Sequence, residues 1–110
     1  MEKVRTYQRY IQEILHSFIA DEDDAELRLL CDTTRNHYQL LSVGWQNNDT
    51  IRVMNIIAHI DIIDGKIWIQ RDFTEPSVSE HLLELGVPRA DIVLGFQPPY
   101  KRKFTEFAIN

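Results

Sequence analysis

The chain of 110 residues has the length of one domain and a net charge of −5, with 44% hydrophobic and 26% charged residues. Those proportions belong to an ordinary globular protein that can bury a core without staples, and they exclude a disordered or collagen-like chain. The acidic balance also argues against a domain built mainly to neutralise phosphate, so direct, independent DNA binding is not expected.

At the N-terminus Val4, Tyr7, Ile11, Ile14 and Phe18 recur at spacings of three and four, and Leu15 and Ile19 widen the stripe. Arg5, Arg9, Gln12 and Glu13 fill the other face, which predicts an amphipathic helix. Met1–Arg5 holds no apolar run of signal-peptide length and no later stretch approaches a membrane span, so the expected location is the cytoplasm, with no membrane contact. The run Asp21-Glu22-Asp23-Asp24 opposes the negative end of the helix dipole and belongs in the following loop. It lacks the alternating ligands, central glycine and closing Glu of a calcium loop.

Two strands are expected next. Ala25, Leu27, Leu29 and Cys31 alternate with Glu26, Arg28, Leu30 and Asp32, and after Thr33-Thr34-Arg35 comes the apolar and aromatic run His37–Trp45. Cys31 is the only cysteine, which excludes an internal disulfide, and its apolar neighbours predict a buried, inert thiol. Gln46-Asn47-Asn48-Asp49 is a polar turn leading into Thr50–Ile63, a β-branched run too long for an average strand, so a bulge or bend inside it is expected.

Asp64-Gly65 separates Ile60-Asp61-Ile62-Ile63 from Lys66-Ile67-Trp68-Ile69. An Asp-Gly pair between strand-like runs predicts a two-residue type I′ hairpin, which needs positive φ at both central residues. Such a turn fixes the register: Ile62 opposite Ile67, Asp61 opposite Trp68, Ile60 opposite Ile69 and His59 opposite Gln70. One face is then isoleucine core, and the other carries His59, Asp61, Trp68 and Gln70.

A second helix is expected over Thr74–Leu85, with Thr74 as cap, Pro76 in the first turn and Val78, Leu82 and Leu85 buried. Gly86 and Pro88 stop it, Ile92-Val93-Leu94 returns to the core, Pro98-Pro99 breaks regular structure, and the tail Tyr100–Asn110 has no clear period. Together these elements make one α+β domain over residues 1–110: an antiparallel sheet of about four strands packed against the N-terminal helix and a second helix.

No catalytic constellation emerges. Asp64-x-Lys66, with Asp49 or Asp61 upstream, has the form of a restriction-nuclease tail that would hold a divalent metal beside phosphate, but tight-turn chemistry already explains it. His59, Asp61 and Gln70 share a face and read as a hydrogen-bonded cluster beside Trp68. A zinc site needs three or four converging ligands, and His16, His37 and His81 belong to other elements without ligand spacing. Ser77, Ser79 and His81 lack a nucleophile elbow, capping explains Ser77, and there is no phosphate loop or dinucleotide fingerprint, so no cofactor is expected. The consecutive cations Lys101, Arg102 and Lys103 are flanked by Tyr100 and Phe104, a mixture that suits a nucleic acid, an acidic partner surface or a solvated tail.

Several of these stretches carry a family resemblance. The run His59–Gln70 followed by Asp72, Thr74 and Glu75 resembles the XisI-like family, as do Gly86-Val87-Pro88, Asp91–Phe96, and Pro98-Pro99 with Arg102, Thr105, Phe107 and Ala108. The resemblance spans essentially the whole chain. The family is named for a cyanobacterial factor that controls excision of the fdxN DNA element during heterocyst differentiation. It implies a non-enzymatic controlling factor acting beside an XisH-type partner, itself nuclease-like, and a separate site-specific recombinase. Met54 stands where the family commonly has glycine, Pro76-Ser77-Val78-Ser79 replaces a helix start of smaller residues, and Gln97 stands where histidine is frequent. The resemblance supplies no catalytic residues.

The expected docking surface is therefore His59, Asp61, Trp68 and Gln70, with Lys101, Arg102 and Lys103 as a second contact for partner or nucleic acid. The alternatives are a DNA-binding regulator using the basic tail, or a metal-dependent nuclease through Asp61, Asp64 and Lys66. Self-association is compatible with all of them.

Overall fold

A computed structural model of the chain describes residues 2–21 and 26–110. Its elements are α1 (Glu2–Asp21), β1 (Leu27–Asp32), β2 (His37–Gln46), β3 (Ile51–Ile63), β4 (Lys66–Asp72), α2 (Val78–Glu84), β5 (Ile92–Leu94) and α3 (Pro99–Arg102), with one 3₁₀ turn at Arg89–Asp91. Asp21 closes α1, so the acidic run begins inside the helix; its remaining residues and Ala25 lie outside the described residues. Among the described residues no helix is long and apolar enough to cross a membrane.

The domain is α+β, as expected, but the sheet has five strands rather than four, in the order β1-β2-β3-β4-β5. It is also mixed: β1 to β4 pair antiparallel, whereas β5 lies parallel to β4, with Ile67, Trp68 and Ile69 opposite Ile92, Val93 and Leu94. The difference arises because α2 carries the chain back across the sheet, and a crossover returns it parallel to the strand it left. A three-residue strand is too short to show its own alternation. Ala108 bridges to Val93 beyond β5, its N–H donating to the Ile92 carbonyl at 2.9 Å, and Lys66 Nζ donates to the Asn110 carbonyl at 2.6 Å. The tail thereby lies along the outer edge of β5.

The core fills one face of the sheet. Tyr7, Ile11, Ile14 and Leu15 of α1 bury the predicted stripe against Tyr38, Leu40, Ala58, Ile60, Ile62, Ile67 and Ile69, and α2 adds Val78 and Leu82. The helix α1 crosses β1, β2 and β3, while α2 packs on β4 and α1.

The Asp64-Gly65 hairpin forms as predicted, with φ of 53° and 78° at the two turn residues. Ile62, Asp61 and Ile60 face Ile67, Trp68 and Ile69, as the turn dictates. The next pair differs: His59 faces Arg71, and Gln70 is the extra residue of a β-bulge. A second irregularity lies between β2 and β3, where Leu40 pairs with Ala58 and Leu41 with Ile56, leaving Ile57 unpaired. This is the break expected in the long strand. Beyond it the β2–β3 ribbon exposes Trp45, Ile51 and Met54.

Three further expectations are corrected. Helix α2 begins at Val78, capped by Ser77 in a capping box with Glu80, not at Thr74. Thr74 instead donates to Asp72, whose other oxygen accepts from the Val78 N–H at 2.7 Å, so the carboxylate organises the connection. Leu85 is 41% exposed, and Val87 fills the core beyond Gly86, whose φ of 91° ends the helix. Cys31 is exposed rather than buried, because β1 is an edge strand with a neighbour on one side only. Partial desolvation still raises its thiol pKa and disfavours the thiolate.

Candidate functional site

The face of the sheet opposite the helices is polar at its centre. Strand alternation places His37 and Gln39 of β2 there, between the buried Tyr38 and Leu40, and His59 and Asp61 of β3, between Ala58, Ile60 and Ile62. On β4, Trp68 and Gln70 alternate with the buried Ile67 and Ile69. The ladders put His37 opposite Asp61, Gln39 opposite His59 and Asp61 opposite Trp68. Three adjacent strands thus build one surface.

Asp61 is its centre. Among the described residues it is the one buried polar or charged side chain, 8% exposed. Its Oδ1 lies 2.7 Å from His37 Nδ1 and 2.8 Å from His59 Nε2, and its Oδ2 accepts from Gln70 Nε2 at 3.3 Å. Burial pushes the Asp61 carboxyl up, but the hydrogen bonds from His37 and His59, the His59 charge interaction and Gln70 outweigh it and hold the pKa below the usual value. Gln39 Nε2 stands 2.8 Å from His59 Nδ1, so the Gln39 amide and the Asp61 carboxylate engage the two ring nitrogens of His59. The network fixes the ring and leaves an open depression of about 440 Å³ lined by Ile56, His59, Asp61, Gln70 and Arg71.

Of the residues expected at this surface, His59, Asp61 and Gln70 are joined by hydrogen bonds, and Trp68 stands across the ladder from Asp61. His37, set aside above as lacking ligand spacing, belongs to the cluster, as Gln39 does. Alternation in β2 was the available signal. Counting back from the Gln46–Ile51 pair would place His37 opposite Ile60, on the wrong face; the bulge at Ile57 shifts it by one, onto Asp61.

The basic tail is not one patch. Arg102 turns inward: its guanidinium lies 5.2 Å from the Trp68 ring centroid, and it donates to the carbonyls of Gln97 and Gly95 at 3.1 and 3.3 Å. Lys101 and Lys103 are exposed beside Tyr100 and Phe104. The nuclease-like constellation does not assemble. Asp49 sits in the β2–β3 turn at the far end of β3 from Asp61, Asp64 is exposed, and Lys66 holds the tail. Among the described residues the group placed to share a metal ion is His37, His59 and Asp61, without Asp64. Ser77 caps α2, and His81 packs edge-on against Phe18 at 5.5 Å.

No match is found among curated proteins. The family model described as XisI protein matches residues 1–109. Two crystal structures from Anabaena variabilis ATCC 29413 are similar over nearly their full length. A XisI-like protein is 42% identical, with a TM-score of 0.87 over 97% of this chain and 99% of that one. The fdxN element excision controlling factor XisI is 38% identical, with a TM-score of 0.86 over 98% and 99%. The chain belongs to the XisI family.

Proposed function

We propose that the chain is a non-enzymatic controlling factor for excision of an fdxN-type DNA element, and that it works by docking an XisH-type protein. The observation that carries this reading is the near full-length likeness, at 38% identity, to the protein described as the fdxN element excision controlling factor XisI. The polar sheet face supports docking. It presents a half-buried tryptophan among fixed hydrogen-bonding groups, the mixture favoured at the centre of protein interfaces. The acidic net charge favours a protein partner over DNA. Co-purification tests it: a complex with the XisH-type protein should form at micromolar concentration and weaken when Gln39 or Gln70 is replaced by alanine. Absence of any complex with both proteins folded would overturn it.

One observation favours a second reading, a regulator that contacts DNA directly. Lys101 and Lys103 stay exposed next to Tyr100 and Phe104, so cations and stacking surfaces share the short helix α3 and its end. That reading requires salt-sensitive binding that weakens in a Lys101→Ala, Lys103→Ala variant. Binding unaffected by the change would remove it.

A further inference from the structure

Two imidazoles converge on one oxygen of Asp61. His37 reaches in from the surface, its side chain 55% exposed, to the Oδ1 that His59 also uses, while Gln70 holds Oδ2. We propose that His37 Nδ1, His59 Nε2 and Asp61 Oδ1 form a binding site for a divalent cation of the zinc class, with a fourth position open to solvent. The inference is independent of the docking reading.

Geometry carries it first. The donor atoms all lie within 4.8 Å of one another. Ligands about 2.0–2.2 Å from a tetrahedral zinc stand roughly 3.3 Å apart. Replacing the shared protons by a cation therefore requires the present 2.7 and 2.8 Å contacts to open by about half an ångström. The exposed His37 has room for that movement. His59 and Asp61 are held on β3, and register sets His37 directly across the ladder from Asp61.

The donor set decides the cation. Two imidazoles and one carboxylate suit zinc and its neighbours, whereas magnesium and calcium take oxygen ligands. The supporting groups a metal site needs are also present. Gln70 donates to the other Asp61 oxygen and orients the carboxylate. With His59 ligating through Nε2, its Nδ1 carries the proton and needs an acceptor; the Gln39 amide provides one by rotating its oxygen to face the ring. His59 and Asp61 both line the open depression beside Arg71, through which a water or an anion can reach a cation held there.

Untagged chain, stripped with chelator, should be titrated with Zn²⁺ by calorimetry and with Co²⁺ by visible absorption. The expected result is saturable binding of about one cation per chain, a cobalt spectrum of low coordination number, and a higher unfolding temperature with Zn²⁺. Replacing His37 by alanine should abolish binding while leaving the fold intact by circular dichroism, since the side chain is exposed. Gln70→Ala should weaken binding by about tenfold. His16→Ala, on the exposed side of α1, should leave it unchanged. Absence of saturable binding, or binding that survives His37→Ala, would overturn the site. Complex formation with the XisH-type protein in chelator tests the docking reading separately, so either idea can fail alone.

Discussion

Asp91 shows how a single carboxylate ties the helical layer to the sheet. It closes the 3₁₀ turn just before β5, and its Oδ2 accepts from the Tyr7 hydroxyl at 2.5 Å and from Lys3 Nζ at 3.1 Å, both on α1. Burial pushes its pKa up, but Tyr7, Lys3 and the charge of Lys66 prevail and hold it below the usual carboxylate value. Burial and the same aspartate push the Tyr7 phenol well up, so it remains a donor. Because the folded-state pKa of Asp91 is depressed, its contribution is present above the unfolded value near 3.9 and is lost as pH falls through the folded one. Asp91→Asn should therefore destabilise the protein by roughly 1.5–3 kcal/mol at neutral pH. The gap to the wild type should close in acid. Urea unfolding at stepped pH checks both, and a gap that stays constant into acid would contradict the assignment.

Elements were legible in proportion to how locally they are determined. The α1 stripe and the first three pairs of the Asp64-Gly65 hairpin follow from spacing and turn chemistry, and both are present in the structure. What escaped depends on groups distant in sequence. The bulges at Ile57 and Gln70 each shift a ladder by one residue, and the first of them brings His37 to Asp61. Likewise β5 forms only because β4 offers it an edge. The contact between Gln70 and the residue after β5 illustrates such dependence. A Cβ at Gly95 would run into the Gln70 amide and approach the Ile69 carbonyl at 3.2 Å. Gly95→Ala should cost about 1–3 kcal/mol through overpacking and should disturb the Gln70–Asp61 hydrogen bond. Thermal unfolding, with the Gln70 side-chain amide resonances as local reporter, tests this; an unshifted signal and unchanged stability would show that the amide moves aside freely.

At the scale of the molecule, the C-terminal residues are part of the fold rather than an appended basic tail. Composition could show that Lys101, Arg102 and Lys103 are cations, but only the packed structure separates their tasks, because Trp68 and two carbonyls claim the middle one. Arg102→Ala should remove about 1–2 kcal/mol and make the segment after Pro99 sensitive to protease. The Lys101→Ala, Lys103→Ala variant should stay within about 0.5 kcal/mol of the parent. Equal protease resistance in the two variants would mean that Arg102 does not hold the segment.

The lie of the last residues along β5 also limits how copies of this chain could assemble. Ala108 occupies the outer rim of β5, whereas among the described residues no strand pairs with the outer rim of β1. A sheet with one sealed and one free rim can add a strand in one direction only. Two copies joined through β1 about a two-fold axis would present sealed rims at both ends. Growth by this route would stop at a pair.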